Sequence, residues 1–145
     1  MNLFLNTSFD ERLRLWYDLR NSLKDNSLQS KCVEIDKFWQ NAPLVNYYLH
    51  PHDMKKWPNP WDLLNDNMFC YYARALGIIY TFLLMGVKDI DLLTAKDYNN
   101  IDVVLVIVDK TYVLNYWPDS VLISNLADFT EIKYISIDAL QEKLG

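Results

Sequence analysis

One segment of the chain, residues 68–85, is apolar on nearly every side of a helix and constrains the fold more than any other feature. Its sequence, MFCYYARALGIIYTFLLM, contains a single charged residue, Arg74. A helix without a polar face is stable in water only when other elements cover it on all sides. We therefore predict a central buried helix over these residues, ended by Gly86 and wrapped by the rest of the domain.

The size and composition of the chain permit such a core. Its 145 residues are 51% hydrophobic and 14% aromatic, which separates it from disordered chains and is enough for one ordinary domain. The sequence has no internal repeat and no linker-like tract, so we predict a single domain over residues 1–145. The apolar run at residues 75–87 is shorter than the ~20 residues that a bilayer span requires, so it indicates a core helix rather than a membrane segment.

Two N-terminal helices are predicted before this one, followed by a short helix over PWDLL with Asn59 as its N-cap and Pro60 at its first position. Residues 8–23 begin with a capping-box pattern, Ser8 with a glutamate three positions later, and then repeat Leu and Trp at helical spacing. Residues 28–42 carry a second apolar stripe that ends before Pro43. Cys32 lies on that stripe, where a free cysteine behaves as a small hydrophobic residue, so we interpret it as a core residue.

Strands are predicted in the second half of the chain. Residues 101–117, IDVVLVIVDKTYVLNYW, contain two Val-rich runs separated by Asp109-Lys110, which is typical of an antiparallel hairpin. Residues 130–137 indicate a third strand, and residues 138–144 a last short amphipathic piece. Helices followed by strands favour an α+β fold. We expect the N-terminal helices and the central buried helix to pack on a small antiparallel sheet.

Charge and cysteine content narrow the class of protein. The net charge is −5, and no run of basic residues is longer than Lys55-Lys56, so duplex DNA or RNA is not an expected partner. Two cysteines and an N-terminus without a signal-peptide pattern favour a cytoplasmic protein with free thiols. We expect no membrane association and no cofactor, and the sequence leaves the oligomeric state open.

Cys70 is the candidate nucleophile. A thiol nucleophile needs a lowered pKa, and the start of a helix supplies it through unpaired N–H groups and a partial positive charge. The same N–H groups can form an oxyanion hole. Such a site also requires a base, usually a histidine, and a third group that orients the base.

The order of three segments, WPNPWDLL, CYYARALGIIYTFLLMGV and DVVLVIVDKTYVLNY, resembles the bacterial transglutaminase-like cysteine proteinases of the papain-like superfamily. In that family a Trp and Pro segment leads to a cysteine that starts a helix, and one of the following strands begins with His-Ala-Val-Leu. The resemblance covers residues 57–116 and implies a papain-like, transglutaminase-like core. It also implies Cys70 as the nucleophile, Asp102 at the position of the histidine, and Asn115 at the position of the orienting aspartate.

The substitution at Asp102 implies a degenerate member of the family, because a carboxylate is a much weaker base than imidazole and an anion opposes ionisation of a nearby thiol. The Gly-Asp that precedes the cysteine in the family is Met68-Phe69 here. If Asp109-Lys110 is a two-residue turn, Val104 faces Asn115, and Asp102 and Asn115 share one face of the sheet. A turn one residue longer places them on opposite faces.

Other residues offer alternatives. His50 and His52 lie in a Pro-rich loop that reads as a solvated turn, but either is a possible base for Cys70. Their spacing suits a metal, yet no third ligand is evident and we predict none. Aromatic residues are candidates for a binding groove or for ordinary packing, and the groove would be formed by Trp57, Trp61, Tyr71 and Trp117.

Three functional hypotheses follow. In the first, the chain is a degenerate transglutaminase-like domain that acts as a binding or regulatory accessory protein with a protein partner. Its small size and composition suggest a phage-encoded protein directed at a host protein in the host cytoplasm. In the second, it is an active cysteine hydrolase or acyltransferase with Cys70 as nucleophile. In the third, the resemblance is accidental and no cleft exists.

Overall fold

The computed structural model describes residues 3–45, 49, 54–116, 122–123 and 126–144, and it has an α+β architecture. This confirms the α+β class that the sequence predicts. The α-helices are α1 (Phe9–Leu23), α2 (Leu28–Gln40), α3 (Pro60–Asp66) and α4 (Tyr71–Leu84). The strands are β1 (Ile90–Lys96), β2 (Asp102–Val108), β3 (Tyr112–Leu114), β4 (Leu122–Ile123) and β5 (Thr130–Ile135). Short 3-10 segments occur at Met54–Lys56, Leu126–Asp128 and Asp138–Leu144.

Side-chain caps set the beginnings of the first three helices. The hydroxyl of Ser8 accepts a hydrogen bond from the backbone N–H of Glu11 at 3.2 Å, as the capping box predicts. The hydroxyl of Ser27 caps α2 in the same way, by accepting from the N–H of Ser30. Asn59 caps α3, with Pro60 in the first turn where no N–H is needed.

The central helix begins later than the sequence suggests. Residues 68–70 are not helical, because Phe69 is extended and bridges the chain after α2: its N–H donates to the carbonyl of Pro43 and its carbonyl accepts from the N–H of Val45. Cys70 is therefore the N-cap of α4, and the helix itself starts at Tyr71. At the other end, Gly86 has the positive φ of 81° that the predicted stop requires.

Helix α4 is buried among α1, α2, α3 and the sheet, as its apolar circumference requires. The indole N–H groups of Trp16 and Trp39 both donate to the hydroxyl of Thr81, at 2.9 and 3.0 Å. Thr81 in turn donates to the carbonyl of Gly77. Cys32 is fully buried in this core, which confirms the structural interpretation.

The sheet has the strand order β4-β3-β2-β1-β5, and every pair is antiparallel. Strand β1, which lies between β2 and β5, is missing from the sequence prediction. Three of its seven residues are Leu or Ala and a fourth is Lys, which favour helices at least as well as strands. Only pairing with β2 on one side and β5 on the other gives this segment its structure. One face of the sheet packs on α4, and the other buries Phe129 and its neighbours.

The turn between β2 and β3 has three residues, not two. Val108 pairs with Tyr112, and Asp109, Lys110 and Thr111 connect them, with positive φ at the first two. The predicted register, in which Val104 faces Asn115, is therefore wrong. None of the helices in the described part of the chain is long and apolar enough to cross a membrane.

Candidate functional site

A cavity of about 660 Å³ lies where the start of α4 meets the ends of three strands. The wall from α4 and its N-cap is apolar and aromatic, whereas the strands contribute a mixture of threonine, valine and charged side chains. The lining consists of Cys70, Tyr71, Tyr72, Thr94, Ala95, Lys96, Asp102, Val103, Val104, Glu131, Ile132 and Lys133. Two of the three positions that carry the family resemblance, Cys70 and Asp102, thus open onto one cavity.

Cys70 occupies the N-cap of α4 with extended backbone angles, and 9% of its surface is exposed. Its carbonyl accepts from the N–H of Arg74, but its side chain does not cap the helix. The backbone N–H groups of the first turn are consequently directed toward the cavity end of α4. The N-terminal end of a helix carries a partial positive charge and favours an anion.

Asp102 begins β2 and points away from the core, with 86% of its side chain exposed. Its register partner on β1 is Lys96, whose Nζ lies 3.2 Å from the Asp102 carboxylate. The Lys96 side chain is 29% exposed. The position that the resemblance aligns with the family's histidine therefore carries a carboxylate paired with an ammonium group.

Asn115 lies behind the cavity wall. After a three-residue turn, a residue with regular strand conformation at position 115 would point to the opposite face of the sheet. Asn115 follows the last residue of β3 with a φ of 69°, a conformation that Asn tolerates better than most residues. Its side-chain Nδ2 donates to the carbonyl of Tyr71 at 3.1 Å and to the carbonyl of Val104 at 2.9 Å. Asn115 thus ties the first turn of α4 to β2.

A buried carboxylate supports Asn115 from the helical layer. Asp36 of α2 is 0% exposed, and its side chain accepts from the backbone N–H of Asn115 at 2.8 Å and from Nε2 of Gln40 at 2.8 Å. Burial raises the pKa of Asp36 to about 7, although these two hydrogen bonds and the charge of Arg74 act in the opposite direction.

The sequence analysis did not predict a role for Asp36, although its position in the sequence indicates one. Asp36 stands four residues after Cys32 and three before Trp39, which places a carboxylate on the core-facing stripe of α2. A buried carboxylate needs polar partners, so an acidic residue on such a stripe indicates a polar network within the core.

The aromatic residues predicted to form a groove have different surroundings where the structure describes them. Tyr71 lines the cavity and is 50% exposed. Trp57 is buried, with its ring centroid 6.1 Å from that of Tyr72, so it supports the cavity wall from behind. Trp61 lies on α3 outside the lining, and Trp117 lies outside the described residues.

The predicted alternative bases, His50 and His52, also lie outside the described residues. The described lining of the cavity accordingly contains carboxylate, ammonium, thiol and phenol groups but no imidazole. Within the described ranges, no group of three or more His, Cys, Asp or Glu side chains is arranged to hold a metal ion.

Comparisons with known proteins add no relative to this picture. No protein-family model matches the chain, and no curated protein matches its sequence significantly.

Proposed function

We propose that this chain is a catalytically degenerate, transglutaminase-like domain that binds a protein partner at the Cys70 cavity and acts as a regulatory or accessory protein. The observation that carries the proposal is the pair at the position of the family's histidine, where the Asp102 carboxylate lies 3.2 Å from Lys96 Nζ. A phage origin and a host protein as the partner belong to the same proposal.

The chemistry of acyl transfer explains why this pair matters. A papain-like reaction needs a base that takes the proton from the thiol and later gives it to the leaving group. The Asp102 carboxylate is largely solvated and interacts with Lys96. A carboxylate is a much weaker base than the imidazole that a papain-like reaction uses.

The surroundings of the cavity suit a macromolecular partner. Its volume of about 660 Å³ falls within the roughly 300–1,000 Å³ range of binding pockets. Exposed apolar residues lie at or next to the bridge between Leu44 and Phe69, the residue before Cys70, namely Leu44, Val45 and Met68, and Tyr71 of the helix is exposed as well. Tyrosine and apolar side chains around a cavity with charged groups are typical of the centre and rim of a protein interface.

One observation favours the rival function, an active cysteine hydrolase or acyltransferase. Cys70 occupies the N-cap position of α4 and opens onto the cavity, as a thiol nucleophile would. In this alternative His50 or His52 supplies the base from the loop that precedes α3.

Activity assays distinguish the two functions. The purified chain and its Cys70→Ala variant are incubated with a panel of amide, ester and thioester substrates. We expect no turnover that depends on Cys70, because the position of the base holds a carboxylate paired with a lysine. Turnover by the unmodified chain that disappears in Cys70→Ala would establish the hydrolase.

Partner capture tests the binding function. We expect proteins retained from host lysate by the unmodified chain to be retained equally by Cys70→Ala but lost with Tyr71→Ser. Tyr17→Ser is the matched control, since Tyr17 is a helical tyrosine of similar exposure, 60% against 50%, and does not line the cavity. Loss of capture in folded Cys70→Ala, or equal loss in both tyrosine variants, would count against binding at this cavity.

A further inference from the structure

The carboxylate of Asp36 stands at the end of a hydrogen-bonded chain that reaches the cavity. Asp36 accepts from the backbone N–H of Asn115 at 2.8 Å, and the Asn115 side chain donates to the carbonyl of Tyr71 at 3.1 Å. Tyr71 is the first residue of α4 and lines the cavity. Two hydrogen bonds through one residue therefore connect a fully buried carboxylate in α2 with the cavity wall.

We propose that Asp36 is a positioning residue that regulates the cavity: its carboxylate holds Asn115, Asn115 holds the first turn of α4, and protonation of Asp36 loosens both. The role of Asp36 rests on the proposed function, because it concerns regulation of the same cavity. No chemical step at Cys70 is required for it.

The backbone of Asn115 makes the cavity sensitive to this support. Left-handed conformations are unfavourable for non-glycine residues, less so for Asn, and persist where surrounding contacts hold them. Asn115 has a φ of 69°, held by the bond to Asp36 and by those to Tyr71 and Val104. If its φ relaxed to that of a regular strand, its side chain would turn to the face of the sheet opposite α4.

Protonation changes the strength of this support. A hydrogen bond from an N–H to an ionised carboxylate is roughly twice as strong as one to a neutral acceptor. When Asp36 takes a proton from solvent, its carboxyl group becomes a neutral acceptor with an O–H donor of its own. The bond from Asn115 then weakens, and Asn115 holds Tyr71 less firmly.

The groups that face Asp36 set the pH at which this happens. They are Gln40 and Cys32 on its own helix, the backbone of Asn115 at the end of β3, and Arg74 on α4. Burial raises the pKa of Asp36 to about 7, and the charge of Arg74 opposes that rise. The exchange of the proton therefore falls near neutral pH.

Two-dimensional NMR of the isolated chain between pH 5 and 8 tests the proposal. The Cys70→Ser variant serves as the background, so that ionisation of the thiol does not contribute. We expect the backbone N–H signal of Asn115 to move downfield as the pH rises, with a midpoint near 7. The N–H of Tyr72, which shares a peptide group with the Tyr71 carbonyl, should follow the same midpoint.

Three variants assign the titration. Asp36→Asn should abolish it at both signals, whereas Asp10→Asn, which removes an exposed carboxylate, should leave it intact. Unperturbed histidines titrate in the same range, and the comparison with Asp36→Asn separates any contribution of His50 and His52. Asn115→Gly keeps the positive φ and the N–H but removes the carboxamide. The N–H signal of residue 115 should therefore still change with pH, whereas the N–H signal of Tyr72 should no longer do so.

Specific outcomes would overturn the proposal. The first is an Asn115 N–H chemical shift that does not change across this pH range. The second is a titration that is still present in Asp36→Asn. The third is a Tyr72 N–H chemical shift that does not change with the titration of Asp36 in the background protein. If Asp36→Asn does not fold, the comparison of the background protein with Asn115→Gly decides the matter. The NMR experiment contains no ligand, so its outcome does not depend on partner capture or hydrolysis. A failure of the proposed function would show in those two assays and not in the NMR titration.

Discussion

The indole ring of Trp39 lies directly on Gly77 of α4, so that a Cβ added to Gly77 would stand 2.4 Å from Cε3 of the ring. The absence of a side chain at Gly77 therefore allows the Trp39 ring to approach the helix closely, and Gly77 does not serve a turn. Trp39 is itself held in place, because its indole N–H donates to Thr81 one turn further along α4. This contact fixes α2 against the central helix.

Replacing Gly77 with alanine should destabilise the protein strongly. The new Cβ must displace the Trp39 ring and break its hydrogen bond to Thr81, and overpacking of this kind costs about 1–3 kcal/mol or more. Urea denaturation followed by circular dichroism measures the free energy of unfolding. Gly86→Ala is the control, because its Cβ meets no atom within 4 Å and its φ of 81° adds only about 1 kcal/mol of strain. Equal losses in the two variants would contradict the role assigned to the Trp39 contact.

Replacing Thr81 with valine should leave two buried indole N–H groups, of Trp16 and Trp39, without their acceptor. Each unsatisfied buried donor costs about 1–3 kcal/mol, so we expect a loss of at least 2 kcal/mol in the same denaturation assay. Thr130→Val, at an exposed strand position, should change the free energy of unfolding little. A small effect at Thr81 would mean that both indoles find other acceptors.

The stability of the protein should depend on pH through Asp36. Its pKa is about 7 in the folded protein and near 3.8 in the unfolded chain, so the folded state binds more protons between these values. The free energy of unfolding should therefore fall as the pH rises from about 4 to about 7, by up to about 4 kcal/mol at about 1.4 kcal/mol per pKa unit. In Asp36→Asn this fall should disappear. A stability that rises over this range, with the same slope in both proteins, would contradict the prediction.

The two thiols should differ in reactivity. Burial raises the pKa of Cys32 to about 12, aided by the charges of Asp36 and Asp109, and its side chain is 0% exposed. Cys70 opens onto the cavity. Under native conditions iodoacetamide should modify Cys70 well before Cys32, as peptide mass spectrometry would show, and denaturation should make both reactive. Comparable native rates at the two sites would argue against the burial of Cys32.

Introducing a histidine at position 102 tests the family resemblance through chemistry. If Asp102 stands where the family has its base, Asp102→His should pair with Cys70, favour the thiolate and raise the rate of alkylation near pH 7 by about tenfold. Asp102→Asn is the matched control, because it removes the negative charge and the pairing with Lys96 without adding a base. The same rate in both variants would mean that the two positions are not equivalent.

Much of the secondary structure was determined by local sequence alone. Ser8, Asn59 and Gly86 act through their own side chains or backbone freedom on helix ends a few residues away, so their effects are readable without a fold. The same holds for the hairpin of β2 and β3, whose Val-rich runs favour strands. Because α4 is apolar on nearly all sides, it had to be buried, whichever elements of the fold pack against it.

The cavity and its support were decided by tertiary structure. Phe69 pairs with the chain after α2 and thereby shifts the start of α4 to Tyr71, and β1 is a strand because β2 and β5 flank it. Asn115 reaches Tyr71 only because Asp36, 79 residues earlier in the chain, helps to hold its left-handed backbone. These features depend on hydrogen bonds between distant residues, which local propensities do not encode. The sequence therefore determined the helices and the hairpin, and long-range pairing determined the cavity at Cys70.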